Sequence, residues 1–165
     1  MPFVIRAVAH LVLVRRFRAM SNPEDTLTER ILGTMAAFTD AAFLMLPATE
    51  YENDETLRQT VLVFLFGALH ALLQEFYFET DEKIPILQAY LQQTFPSLTP
   101  TDCDSVIVSL ADASDDPSWI PVMQRGGQTL VDWGRGDTTA PLMLSHIVRF
   151  GIEDADMMRK TKRST

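Results

Sequence analysis

Val61–Leu73 reads VLVFLFGALHALL, thirteen residues in which His70 is the one polar side chain. A helix apolar around its whole circumference must be surrounded by other elements. Thirteen residues is also well short of the ~20 that cross a bilayer. The run therefore predicts a buried central helix, from about Glu55 to Phe78, and the rest of the chain should supply the helices that enclose it.

Upstream, Asn22-Pro23-Glu24-Asp25 has the form of a helix cap. The apolar residues that follow it, Leu27, Ile31, Met35, Phe38, Ala42 and Met45, recur at steps of three and four, one stripe of a helix. Pro47 should end that helix, and an acidic linker, Ala48 to Asp54, leads into the central one. Downstream, Thr80-Asp81-Glu82 opens a third helix with Ile84, Leu87, Tyr90 and Leu91, stopping near Phe95-Pro96. Pro85 falls in its first turn, where proline is tolerated. Thr99-Pro100-Thr101-Asp102 resembles a capping box with aspartate in the place of glutamate, opening a fourth helix that runs to about Ser114. Asp116-Pro117 caps a fifth element carrying Trp119, Ile120, Met123, Leu130 and Trp133. A break or bend is expected at Gly126-Gly127, since two glycines inside a helix cost about 2 kcal/mol relative to alanine. Gly136-Asp137-Thr138 should close that element and open the last helix, Thr139 to Phe150, with Gly151 as its C-terminal cap and a frayed polar tail beyond. No alternating run bounded by hairpin turns is present. The fold class is all-α: a single-domain bundle of five to seven helices around the central helix. Three regions are expected, a basic apolar extension (1–20), an acidic helical domain (21–151) and a charged tail (152–165).

A chain of 165 residues with 47% hydrophobic and 22% charged side chains suits one globular domain. At that size it buries roughly 68–70% of its unfolded surface and needs no disulfide or metal to hold it. With Cys103 as its one cysteine it forms no internal disulfide, as befits a reducing cytosol. Met1–Met20, MPFVIRAVAHLVLVRRFRAM, places its arginines after its apolar run, the reverse of a secretory signal. The uninterrupted apolar stretch is too short to span a membrane. An acid-free presequence, a surface helix or a dispensable leader before Met20 fit it better.

Charge is unevenly placed. Residues 1–20 hold four arginines (Arg6, Arg15, Arg16, Arg18) and no acid, and residues 157–165 hold Arg159, Lys160, Lys162 and Arg163 and no acid. The 136 residues between keep six bases against all 22 acids, a net charge of −16. Such a body repels nucleic-acid phosphates and suits a basic partner, while also serving solubility.

The constellations that carry chemistry are missing. His10, His70 and His146 fall on different helices, but neither Glu-x-x-His nor H-E-x-x-H occurs, so no metal site is expected. Cys103 stands at a helix start, which favours a thiolate, between Asp102 and Asp104, which oppose one. G-x-S-x-G, S-x-x-K and phosphate-binding glycine loops are absent. Arg135-Gly136-Asp137 matches an adhesion tripeptide but coincides with a helix stop.

The expected function is a non-enzymatic interaction module, without cofactor. It is an acidic bundle that binds and regulates or neutralises a protein partner in the cytoplasm, as a bacterial immunity protein, antitoxin or adaptor does. Its partner-facing residues would be Glu79, Asp81, Glu82, Asp112, Asp115 and Asp116. The alternative is a small-molecule-binding bundle with an apolar pocket formed by Phe64, Phe66, His70, Phe76, Tyr77 and Phe78. Self-association into a homodimer overlaps both.

Overall fold

The computed structural model describes residues 25–76, 78 and 80–163. The expectations for residues 1–20, for the Asn22-Pro23-Glu24 cap, for Tyr77 and for Glu79 lie outside these. Among the described residues there are seven α-helices and no strand: α1 (Leu27–Phe43), α2 (Glu55–Glu75), α3 (Thr80–Thr94), α4 (Pro100–Asp115), α5 (Ile120–Gly134), α6 (Met143–Phe150) and α7 (Ile152–Arg163). Short 3₁₀ turns, Ala48–Glu50 and Ala140–Leu142, precede α2 and α6.

Among the described helices, α1, α2 and α4 open on side-chain caps. The Thr26 hydroxyl accepts the Glu29 N–H at 3.2 Å while the Glu29 carboxylate accepts the Thr26 N–H at 2.6 Å, so α1 begins with a reciprocal capping box. Asp54 caps α2 by accepting the Leu57 N–H at 2.9 Å. Thr99 and Asp102 repeat the box at α4, with aspartate standing for glutamate as the sequence suggests.

α2 is the central helix. Its 21 residues, which carry the helix beyond the apolar run at both ends, are long and apolar enough to cross a membrane by length and composition alone. Ten of them, including Val61, Phe64, Ala68, Leu69 and Leu72, are buried in the bundle. From α1, Phe38 stacks on Phe64 at a centroid distance of 6.4 Å and meets Trp133 of α5 edge-on at 5.6 Å, so α1, α2 and α5 share one core. α3 is tied to α1 by the buried pair Thr39–Tyr90, 2.7 Å between hydroxyls, and to α4 by a hydrogen bond from Gln88 to Asp104 at 2.9 Å. Arg149 of α6 grips Glu50 with two bonds of 2.8 Å and also donates to the Met45 carbonyl, closing the far end of the bundle.

Several sequence-level expectations change. α5 is unbroken through Gly126-Gly127, because these glycines are what let α5 lie against α2. A Cβ on Gly126 would overlap the Phe64 carbonyl, one on Gly67 would overlap the Met123 carbonyl, and one on Gly127 would stand 3.2 Å from the Gly67 carbonyl oxygen. The tail after Gly151 is not frayed but forms α7, with Ala155 buried, Ile152 half-buried and Asp156 paired with Arg125 of α5. Gly151 itself, at φ +88°, turns the chain between α6 and α7. α2 stops at Glu75 rather than Phe78, and Pro85 is an interior residue of α3 rather than part of its first turn. Pro117 precedes α5 without capping it: Trp119 is the N-cap, and the Asp116 carboxylate accepts the Ser118 N–H at 2.8 Å instead. The last core helix begins at Met143, after the 3₁₀ turn, and not at Thr139.

Candidate functional site

α4 and the turn after it bear the features that set one surface apart. From Ile84 to Gln124 there is no lysine or arginine, and the charged side chains are Asp102, Asp104, Asp112, Asp115 and Asp116. Asp102 is spent on the Thr99 cap, which holds its carboxyl below the usual range, and Asp104 accepts from Gln88. Asp112 and Asp115 have no hydrogen bond or ion pair among the described residues and project from the exposed side of α4. The inner side is apolar, with Cys103, Leu110 and Ala113 buried against the bundle. Burial, then the charges of Asp104 and Asp102, push the Cys103 thiol up, which leaves it an inert packing residue.

The turn at Asp116 folds the chain back on α4. Its carbonyl accepts the Trp119 N–H at 3.0 Å, and this sets the half-buried indole beside the last turns of the helix. Ser109 in turn donates to Gln59 of α2 at 3.2 Å. Between these groups lies an open depression of about 330 Å³, lined by Gln59, Ser105, Val108, Ser109, Asp112, Ala113, Asp116 and Trp119. Val108, 62% exposed, is an apolar residue presented to solvent on its rim. The structure thus brings Asp112 and Asp116 to one concave surface with an aromatic and an aliphatic wall. Asp115 stays exposed nearby on the same helix, and Asp81 and Glu82 stand in the first turn of α3, where they complement its dipole. Trp119, Val108 and Gln59 were not legible as site residues. The indole reads as one more core position, and only the turn at Asp116 makes it a wall.

The residues expected to form an apolar pocket are placed as follows. Phe64 is fully buried in the Phe38 stack, while Phe66, Phe76 and Phe78 are half-buried. His70 is half-buried beside Phe66, ring centroids 5.8 Å apart, and its Nε2 accepts from the Gln74 amide at 2.8 Å. Burial, with the Lys83 charge second, lowers its pKa, so the ring is neutral near pH 7. Neither described depression includes any of these residues. The second one, about 350 Å³, lies between α5 and α7 around Gln124, Arg125, Gln128 and Asp156.

No group of three His, Cys, Asp or Glu side chains is placed to hold a metal among the described residues. In Arg135-Gly136-Asp137, Arg135 is the C-cap of α5, Gly136 has φ +104° and the Asp137 carboxylate accepts the Thr139 N–H and hydroxyl, so each residue has a structural task. No family model matches this chain, nor does any curated protein or solved structure at a significant level.

Proposed function

We propose that this protein is a non-enzymatic interaction module of the cytosol. In this reading an acidic helical bundle uses the outer face of α4 and the Trp119 depression to bind, and so regulate or neutralise, a basic protein partner, in the manner of an immunity protein, antitoxin or adaptor. The observation that carries the reading is the combination on α4: carboxylates without partners, no base from Ile84 to Gln124, and exposed apolar groups beside them. An exposed valine and a half-buried indole beside unpaired carboxylates match the pattern in which interfaces surround apolar and aromatic anchors with a charged rim. The acid excess is also not consumed internally, since Arg125, Arg135 and Arg149, three of the six bases in residues 21–156, are already committed to Asp156, Asp132 and Glu50. Complementary potential of this kind speeds association and rejects acidic competitors.

The test is native mass spectrometry of the protein isolated gently from its own cells, followed by affinity measurements with the companion it identifies. Reversing Asp112, Asp115 and Asp116 to lysine is expected to weaken binding at least about tenfold and to flatten its dependence on salt. An unchanged affinity and salt slope in that variant, and in Asp81→Lys with Glu82→Lys, would remove the acidic faces from any role in binding.

A further inference from the structure

Resting on the reading above, we propose that the depression between α4 and Trp119 seats an arginine side chain of the basic partner. Its lining divides as a guanidinium and its stem require. Val108 offers aliphatic surface for the methylenes, and Trp119 forms an aromatic wall against which a planar cation would stack. Asp112, in the last turns of α4, and Asp116, its C-cap, both line the depression. Asp116 spends one oxygen on the Ser118 N–H and keeps the other; Asp112 spends neither on a described group. Gln59, held by the Ser109 hydroxyl, adds a fixed amide to the wall.

The chemistry discriminates among cations. A guanidinium carries five donors in a rigid plane, is weakly hydrated, and is served at once by carboxylates and by an aromatic face. An ammonium holds its water more strongly and uses the carboxylates but little of the ring. An inorganic dication gains nothing from valine and tryptophan. The volume, about 330 Å³, is at the lower limit of small-molecule pockets, which run from roughly 300 to 1,000 Å³, and suits a single inserted side chain.

The experiment titrates isotopically labelled protein with a short oligo-arginine peptide and a length-matched oligolysine, followed by NMR. Oligo-arginine is expected to move the Trp119 indole N–H and the backbone amides of Val108 to Asp116 most, leaving the indole of buried Trp133 in place. It should bind at least about threefold more tightly than oligolysine, reflecting the stacking on Trp119. Asp112→Asn and Trp119→Leu should each weaken it about tenfold, whereas Glu52→Gln, which removes the same charge from a turn outside the depression, should have little effect. Asp112 is exposed, so its variant keeps the test open should Trp119→Leu fail to fold. If oligo-arginine binds but Trp119 is unmoved and Asp112→Asn equals Glu52→Gln, the seat is wrong while the acidic-docking reading stands. If neither peptide binds, that reading falls and the seat with it.

Discussion

Tyr90 takes a hydroxyl into the core of the bundle, 1% exposed, and the position is tolerable because Thr39 lies 2.7 Å away across the α1–α3 contact. Burial raises its pKa to about 12, with the Thr39 and Thr94 hydroxyls opposing the shift. Because the folded value lies above the unfolded value of about 10, this stability is complete below pH ~10 and is lost as pH rises from there toward 12. Absorbance titration of the native protein should show one of the three tyrosines ionising only near the alkaline unfolding transition. Tyr90→Phe should cost roughly 1–3 kcal/mol by leaving the Thr39 hydroxyl without that partner, seen as a lower urea midpoint at unchanged slope. The apolar spacing around Tyr90 reveals that it is a core residue; its partner, 51 residues away in sequence, has no local signature. His70 shows the same limit: its need for a partner is readable, but the choice of Gln74, one turn on, and the half-exposed setting are not.

At the scale of elements, the starts of α2, α3 and α4 were legible, because a cap is a contract among neighbouring residues, whereas the Thr26 box of α1, the Trp119 start of α5 and the Met143 start of α6 were not. Thr99-Pro100-Thr101-Asp102 acts as its sequence suggests. The glycine pair of α5 misled for the opposite reason. Intrinsic propensity prices Gly126 and Gly127 as helix-breaking, yet they remain helical because α2 supplies Gly67 and the Phe64 carbonyl at the crossing, where any side chain is in the way. Two alanine substitutions should therefore have opposite signs. Gly126→Ala forces the two backbones apart and should destabilise by about 2–3 kcal/mol or more. Gly33→Ala, on the open face of α1 with nothing within 4 Å of the new Cβ, should stabilise by up to about 1 kcal/mol. Urea denaturation of the pair checks both, and equal effects would mean the α2–α5 crossing is not tight. α7 escaped notice because its inward positions, Ile152 and Ala155, are too few and too small to stand out from a charged segment. Its docking includes an ion pair to Arg125, a residue on another helix.

For the whole molecule, the governing quantity is the negative net charge, −8 over the full chain and −16 over residues 21–156. Like charges crowded on a compact body repel one another more than they do in the expanded chain. Screening should therefore stabilise this fold: raising NaCl from about 10 mM to about 300 mM shortens the Debye length from roughly 30 Å to well under 10 Å and should raise stability on the order of 1 kcal/mol. The ion pairs Arg149–Glu50 and Arg125–Asp156 weaken under the same change and offset part of the gain. The urea midpoint at the two salt concentrations decides it, and a fall in stability would show that ion pairing outweighs repulsion. The same excess of charge underlies the proposed partner, so the salt response of the free protein is the baseline for that of any complex.

The sequence by itself determined that the chain is all-α, that 61–73 lies at its centre, where α2, α3 and α4 start, and that its body is acidic, because periodicity, caps and charge are properties of neighbours along the chain. Only the tertiary structure decided that α2 and α5 meet at their glycines, that the segment after Gly151 is a docked helix, and that Trp119, Asp112 and Asp116 line one depression. Each of these depends on which surfaces of distant segments come together, and that is settled by packing complementarity among side chains that no local pattern relates.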